Sequence, residues 1–286
     1  MILSESVRRL KWKTNRTFSR GIQKPYFTAI PSIRSQSDSG FYPELARRAA
    51  LNSRVFSTFK NSGVYRTILE HCDAKEGELY LEQIRKKWPL LLENIDKFKI
   101  NDQIGKPFLT TYPGIGEISP TTLRYIKVLC DLQELFGDLS NFDVVEIGGG
   151  YGGQFLLADL TWSLSSWTIF DLDPVLHLIS RYLECYLLNS SYKVTTLNRF
   201  DPKAASFDLA ISNYAFSELP RVLQLQYISK VLSKAKRGYM TMNPGKTEDK
   251  STCLTKDELR HHFPNLRIYD EQPLTAPNNY ILVWGE

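Results

Sequence analysis

Five glycines interrupt the chain between a short apolar segment and a helical one. The apolar run Val-Val-Glu-Ile ends at Ile147, and residues 148–153 then read Gly-Gly-Gly-Tyr-Gly-Gly. Glycine allows backbone conformations and close approaches that a side chain would prevent. In open sheets of parallel strands, ligands bind at the carboxyl ends of the strands, near the point where strand order reverses. The cluster therefore predicts a strand–loop–helix unit with a ligand at the loop.

The second half of the chain alternates strand-like and helix-like segments. Strands are predicted at 143–147, 167–171, 193–198, 207–213 and 237–243, with helices near 153–164 and at 174–188 and 221–235. Such alternation predicts an α/β fold with a mostly parallel sheet. Two further strands are predicted at 266–270 and 280–285. Only nine residues separate them, too few for a crossover, so the last strand should run antiparallel.

The first half of the chain is predominantly helical in pattern. Apolar residues recur at helical spacing from 43 to 98, where Pro89 should break the run. Residues 101–116 are rich in Gly, Pro, Asn and Asp and predict a loop. Ser119 and Pro120 are suited to begin another helix. We therefore predict a helical extension or cap over 41–138, followed by a ligand-binding domain over 139–286.

The net charge of +5 is concentrated at the amino terminus. Residues 1–38 carry +6 and the remaining chain carries −1. A near-neutral body argues against nucleic acid as a partner. Residues 1–40 are predicted to form a flexible basic arm, with a membrane-surface anchor or a transit-like segment as alternatives. We expect a cytoplasmic protein. Peripheral contact with the inner face of the membrane is an open alternative.

The glycines fit two cofactor templates. Gly148, Gly150 and Gly153 match G-x-G-x-x-G, the dinucleotide fingerprint. The second template, E-x-G-x-G-x-G, starts at Glu146 and is typical of S-adenosylmethionine-dependent methyltransferases. The acid inside the strand, Asp171 at the end of the next strand and the closing antiparallel strand favour this second template.

Longer segments resemble the sugar O-methyltransferase family. They are EIGGGYGGQ, FDLDPVLHLISRYLE, FDLAISNYAFSELP and RGYMTMN, with NDQIGKP and GEISPTTLRYIK upstream and PNNYILVWG at the end. The resemblance covers roughly 45–286. It implies a Rossmann-like class I methyltransferase sheet with an N-terminal helical extension. It also implies S-adenosylmethionine as the cofactor and the hydroxyl of a sugar or glycan precursor as the acceptor. The predicted cofactor residues are Glu146, Gly148, Gly149, Gly150, Gly152, Asp171 and Asn213, with Asp171 on the ribose diol.

The acceptor side requires groups that bind and activate a hydroxyl. A sugar hydroxyl is a poor nucleophile, so a general base would help, and Glu218 is the best candidate. Capping the following helix is the alternative role of Glu218. The substrate-side residues are predicted to be Tyr214, Asn243, Asn278 and Asn279. Residues 213–216 do not match the (D/N/S)PPY signature, which argues against a nitrogen acceptor.

Other features leave alternatives open. Lys246 and Lys250 lie in a polar, lid-like loop, and Arg124 would meet the cofactor's methionine carboxylate if the N-terminal helices cover the sheet. No cluster of residues has metal-ligand spacing, and His71 has no other potential ligand near it in the sequence. Binding of a divalent metal remains an open alternative, because its ligands could come from separate strands. The alternative functions are O-methylation of another small hydroxylated metabolite, NAD-dependent oxidoreduction and a non-catalytic cofactor-binding scaffold.

Overall fold

The carboxyl ends of parallel strands form one edge of a twisted sheet in the computed structural model of the chain. The structure describes residues 41–244, 253–263 and 265–286. The predicted basic arm lies outside the described residues, as do Lys246 and Lys250.

The described sheet has seven strands in the order β5-β4-β3-β6-β7-β9-β8. They are β3 Asp143–Ile147, β4 Ser166–Phe170, β5 Ser191–Thr195, β6 Phe207–Asn213, β7 Ala235–Met242, β8 Arg267–Asp270 and β9 Tyr280–Trp284. Strands β3 to β7 pair in parallel, whereas β9 pairs antiparallel with both β7 and β8. This is a Rossmann-like, mostly parallel sheet, and it confirms the predicted α/β fold and the antiparallel last strand.

Strand order reverses at β3. The chain moves outward from β3 through β4 to β5, then returns to the other side of β3 with β6. Ligands of open α/β sheets bind in the crevice at such a point, outside the carboxyl ends of the strands. The fold therefore places the glycine cluster after β3, Asp171 after β4 and Tyr214 after β6 at one crevice.

Helices precede the sheet and connect its strands. The helices before β3 are α1 Phe41–Leu51, α2 Ser53–Phe56, α3 Gly63–Ile68, α4 Ala74–Lys87, α5 Leu90–Glu93, α6 Ile95–Phe98 and α7 Pro120–Phe136. The later helices are α8 Gly153–Asp159, α9 Asp173–Leu183, α10 Ala215–Glu218, α11 Arg221–Lys230 and α12 Lys256–His262. Ser119 caps α7 as predicted, and Pro89 separates α4 from α5.

Tyr151, in the middle of the glycine cluster, joins the N-terminal helices to the sheet. Its ring lies 5.0 Å from that of Tyr182 on α9 and 5.7 Å from that of Phe59. The ammonium of Lys60, fully buried, lies 4.1 Å from the centre of the Tyr151 ring. The extension therefore shares one apolar core with a face of the sheet. Its division from the sheet as a separate domain at 138 and 139 stays a prediction.

Several local predictions differ from the structure; for example, β5 is Ser191–Thr195 rather than 193–198, and α11 ends at Lys230 rather than 235. The predicted loop contains an antiparallel hairpin, β1 Thr110–Tyr112 and β2 Gly116–Ile118, because Thr-Thr-Tyr favours extended backbone beside a glycine turn. Helix α9 ends at Leu183 rather than 188. Tyr186 turns away to donate a hydrogen bond to the Ile100 carbonyl at 3.1 Å.

Within the described residues, no helix combines the length and apolar character required to span a bilayer.

Candidate active site

The glycine loop passes close to neighbouring elements where a side chain would not fit. Gly148 has a φ of +81°, and its N–H donates to the Phe170 carbonyl at 2.8 Å. A Cβ at Gly148 would overlap the Cβ of Ala215 on α10. Gly152, directly before α8, has a φ of +91°. These conformations favour glycine, and the absence of side chains lets α10 and α9 pack closely against the loop.

Asp171 joins the glycine loop to the end of β4. Its Oδ2 accepts a hydrogen bond from the Gly150 N–H at 3.0 Å, and its Oδ1 accepts one from the Leu172 N–H at 2.7 Å. Asp171 and Gly150 were both predicted to bind the cofactor. The structure brings them together with a half-buried carboxylate at the switch point.

Glu146 lies inside the sheet rather than at its rim. The side chain is 2% exposed, and its Oε2 accepts a hydrogen bond from the indole N–H of Trp167 at 3.0 Å. Burial raises the pKa of Glu146 to about 8, and the charge of Asp171 adds to this while the Trp167 hydrogen bond opposes it. The neutral carboxyl therefore predominates near pH 7, and Glu146 supports the pairing of β3 with β4.

Asn213 ends β6 at the crevice, and Tyr214 follows it. The amide of Asn213 donates to Gln154 on α8 at 3.5 Å and accepts from Thr241 at 3.4 Å. Tyr214 has a φ of +68°, which is uncommon for a residue with a side chain and costs roughly 1–3 kcal/mol. Its backbone N–H is fixed by the Thr241 carbonyl at 2.8 Å. Backbone strain of this kind clusters at functional sites. At Tyr214 it directs the side chain toward the crevice.

Glu271 is a site residue that the sequence predictions missed. The carboxylate is 4% exposed and accepts hydrogen bonds from the Tyr214 hydroxyl at 2.5 Å and the Asn279 amide at 3.0 Å. Thr275 adds its N–H at 2.9 Å and its hydroxyl at 2.7 Å. Burial raises the pKa of Tyr214, so the phenol stays protonated as the donor. The available sequence signal was the position of Glu271, directly after the predicted strand 266–270.

The remaining predicted acceptor residues lie around α10 and in the loop between β8 and β9. Glu218 ends this helix and is half-buried, and Ser217 donates to the Tyr214 carbonyl at 2.6 Å. The Asn243 N–H donates to the Ser217 hydroxyl at 2.9 Å, which places the end of β7 against α10. Asn278 is exposed and has a φ of +69°. Asn279 is buried, and its amide holds Glu271.

Tyr42 on α1 is buried, and its ring lies 5.7 Å from that of Tyr65. Burial raises the pKa of Tyr42, and the negative charges of Asp171 and Glu218 both add to the effect. Tyr42 belongs to the apolar core that the N-terminal extension shares with the sheet.

Arg124 and His71 meet beside the crevice, although they are 53 residues apart in the chain. The Nη1 of Arg124 lies 3.4 Å from the Nε2 of His71, and its Nη2 donates to the Leu69 carbonyl at 3.0 Å. Burial and the Arg124 charge lower the pKa of His71 to about 4, so the imidazole is neutral at physiological pH.

Other parts of the described chain do not form a comparable site. Across those residues, no group of three or more His, Cys, Asp or Glu side chains is placed to hold a metal ion. A cleft of about 820 Å³ lies at the other end of the sheet, where β7 begins and β9 ends. Its position at the amino end of a parallel strand is not where such sheets bind ligands.

Comparison with known proteins finds similar solved structures at low sequence identity. No protein-family model matches the chain, and no curated protein matches it. The N-methyltransferase NodS from Bradyrhizobium japonicum WM9 with S-adenosyl-L-homocysteine has a TM-score of 0.42 and 14% identity, covering 56% of this chain and 83% of NodS. CalS10, an amino pentose methyltransferase from Micromonospora echinaspora with SAM bound, has a TM-score of 0.41 and 12% identity, covering 56% and 89%. At this level, neither similarity assigns an activity or a substrate.

Proposed function

We propose that the chain is an S-adenosylmethionine-dependent O-methyltransferase that methylates a hydroxyl of a sugar or glycan precursor. The observation that carries this proposal is the hydrogen bond from the Gly150 N–H to Asp171 at the strand-order reversal. It supports a cofactor site in which the open backbone of the glycine loop and a carboxylate face the same crevice. The sugar as acceptor rests on the sequence resemblance.

The residues present fit this cofactor. Gly148 and Gly152 adopt left-handed backbone conformations that shape the loop at the crevice, and Asp171 offers a carboxylate suited to a ribose diol. Asn213 lies at the end of the adjoining strand β6. When bound, S-adenosylmethionine supplies an electrophilic methyl group on a sulfonium centre. The main tasks of the protein are then to position the acceptor and to exclude water.

Glu218 is our candidate for the general base. A base that takes the hydroxyl proton as the oxygen attacks typically contributes 10²–10⁴-fold to the rate. Glu218 is half-buried and follows Tyr214 on α10, at the carboxyl end of β6. Tyr214, Asn243 and Asn278 are the proposed acceptor-side residues, and Glu271 and Asn279 hold Tyr214 in place.

Transfer of a labelled methyl group tests the function. The protein would be incubated with labelled S-adenosylmethionine and a panel of nucleotide sugars, glycans and small hydroxylated metabolites. We expect label on a sugar hydroxyl that is lost when that hydroxyl is replaced by hydrogen. Label on the non-sugar metabolites alone would establish the alternative function, O-methylation of another small hydroxylated metabolite. Absence of label from every hydroxyl acceptor, with the cofactor bound, would favour the non-catalytic scaffold.

A further inference from the structure

Lys60 places an ammonium group inside the protein without an ion-pair partner. The residue lies in the turn Phe59–Asn61 and is 0% exposed. Within the described residues it forms no ion pair, and the acids Glu70 and Asp102 attract it only at longer range. Burial lowers the pKa of Lys60 to about 8, although the two acids oppose this shift. Lysines normally keep the ammonium in water, so the contacts of Lys60 must offset the cost of its burial.

Three aromatic rings surround the ammonium of Lys60, and we call them the aromatic cage. The Nζ lies 4.1 Å from the ring centre of Tyr151, 4.9 Å from that of Tyr182 and 6.0 Å from that of Phe59. The attraction between a cation and aromatic rings is strongest where both are removed from water. The ammonium also donates a hydrogen bond to the Asn101 carbonyl at 2.5 Å. Such cages bind ammonium ligands in other proteins, whereas here the chain supplies its own ammonium.

The aromatic cage joins three separate parts of the fold. Phe59 belongs to the N-terminal extension, Tyr182 to α9 and Tyr151 to the glycine loop. The side chain of Asn101 connects the two tyrosines, because its amide donates to the Tyr151 hydroxyl at 3.2 Å and its Oδ1 accepts from the Tyr182 hydroxyl at 2.8 Å. Tyr151 is therefore held both at its ring and at its hydroxyl.

Tyr151 is the only residue other than glycine in the loop 148–153. Its neighbours Gly150 and Gly152 have φ of +62° and +91°, and glycines leave a loop many backbone conformations unless another contact fixes it. The Gly150 N–H donates to Asp171, the bond on which the proposed cofactor site depends. Packing of the Tyr151 side chain therefore restricts the loop and keeps Gly150 opposite Asp171.

We propose that Lys60 is a positioning residue for the glycine loop: its ammonium fixes the Tyr151 ring, and the fixed ring keeps the loop in the conformation that binds the cofactor. The proposal rests on the proposed function and extends it to a residue of the N-terminal extension. Lys60 acts through Tyr151 and is assigned no contact with the reacting atoms.

Calorimetry with S-adenosylhomocysteine tests the effect on binding. Lys60→Met removes the charge and keeps an unbranched side chain, so it should weaken S-adenosylhomocysteine about tenfold, the loss expected from a desolvated cation–π attraction. Lys97→Met is the matched control. The Lys97 ammonium also donates to a backbone carbonyl, that of Leu160 at 3.0 Å, and lies 4.8 Å from the Phe98 ring. Lys97 lies outside the aromatic cage, so its variant should bind as the wild type does.

Hydrogen exchange of the ligand-free protein tests the loop directly. The N–H groups of Gly148, Gly150 and Gly152 all donate hydrogen bonds, so their exchange rates report the order of the loop. In Lys60→Met these amides should exchange about tenfold faster, while the amides of β6 and β7 keep their wild-type rates. A purely structural lysine predicts instead a lower Tm and faster exchange throughout the chain.

The pH dependence of binding is a readout specific to the charge. Lys60 loses its proton between roughly pH 7 and pH 9, and the neutral amine loses its attraction to the rings, so affinity for S-adenosylhomocysteine should fall as the pH rises. Glu146 titrates in the same range, and the comparison is therefore made in Glu146→Gln with and without Lys60→Met. Glu70 and Asp102 face Lys60, and they are retained in both proteins. The phenols of the aromatic cage stay protonated, because burial raises their pKa. The fall in affinity should occur with Lys60 and be absent without it.

Wild-type loop exchange and wild-type affinity in folded Lys60→Met would overturn the proposal, as would a uniform rise in exchange with a lower Tm. Faster loop exchange with unchanged affinity would confine Lys60 to the structure of the loop and would also overturn it. If Lys60→Met does not fold, Lys60→Gln replaces it, which keeps a donor for Asn101 but has no charge, and the same outcomes decide. If S-adenosylhomocysteine does not bind the wild type, the proposed function fails, and loop exchange alone decides the role of Lys60.

Discussion

The hydroxyl of Tyr214 donates a hydrogen bond to the carboxylate of Glu271, 57 residues further along the chain. The contact joins the end of β6 to the loop between β8 and β9. Glu271 is in turn fixed by Thr275 and Asn279. A tyrosine with strained backbone is therefore held by a buried carboxylate at the crevice.

Tyr214→Phe and Glu271→Gln should lower kcat for methyl transfer by roughly 10²-fold, the effect expected from a small misplacement of a reacting group. Cofactor affinity, measured by calorimetry, should stay unchanged in Tyr214→Phe. Tyr269→Phe is the control, because its hydroxyl donates to Glu286 at the opposite end of the sheet. Wild-type kcat in both site variants would remove this pair from the acceptor side.

Glu218→Gln should lower kcat by about 10²–10⁴-fold, because the amide cannot accept the hydroxyl proton. The acidic limb of the pH–rate profile should disappear in the same variant, while the cofactor dissociation constant stays unchanged. Glu184→Gln, an exposed position after α9, serves as the control. If the variant keeps its acidic limb, the residue acts as a helix cap and not as the base.

Asp171→Asn should weaken S-adenosylhomocysteine about tenfold or more, because a hydrogen bond to a charged group contributes roughly 1.5–3 kcal/mol. Part of this loss reflects the Gly150 N–H, which Asp171 orients. Asp173→Asn is a close control, since Asp173 pairs with Arg199 at the surface. Equal affinities for the two variants would show that the cofactor site is elsewhere.

Glu146 should make the protein less stable as the pH rises. Its pKa is about 8 in the folded chain, against roughly 4.3 when unfolded, so between these values the folded state holds the additional proton. The free energy of unfolding should therefore fall from pH 5 to pH 8 by several kcal/mol, at about 1.4 kcal/mol per pH unit. Urea denaturation should show that Glu146→Gln loses most of this dependence.

Glu117→Gln is the control for this pH effect, because Glu117 is exposed on β2 and should leave the dependence intact. A wild-type pH dependence in Glu146→Gln would contradict the assignment. Glu146→Ala also removes the acceptor of the Trp167 hydrogen bond and should weaken cofactor binding by loosening β3 against β4.

Deletion of residues 1–38 should leave methyl transfer unchanged and reduce sedimentation with anionic phospholipid vesicles. The expectation follows from the +6 charge of this segment against −1 for the rest of the chain. Vesicles of neutral phospholipid are the control. Loss of methyl transfer on deletion would contradict the separation of the arm from catalysis.

Local pattern predicted β3, β4 and β6 to within one residue, because each is a mostly apolar run between clear boundaries. The nine residues between β8 and β9 were enough to predict their antiparallel pairing. Local sequence pattern gave no information about the tertiary contacts. In the sequence, Glu271 is a single acidic residue in a polar loop. Its hydrogen bond with Tyr214 forms only when the chain folds. His71 has no companions in sequence, yet the structure places it against Arg124.

Tyr151 shows the same limit within the strongest motif. The glycines around it predicted a ligand loop, while the tyrosine itself gave no signal of its packing partners. In the structure its ring packs against Phe59 and Tyr182, so one loop both borders the crevice and holds the extension.

The most direct test of the proposed function is calorimetric titration of the full chain with S-adenosylhomocysteine and, separately, with NAD. We predict a dissociation constant in the micromolar range for S-adenosylhomocysteine, in keeping with ordinary enzyme affinities, and no heat of binding with NAD. Binding of NAD without binding of S-adenosylhomocysteine would contradict the methyltransferase assignment and indicate an oxidoreductase.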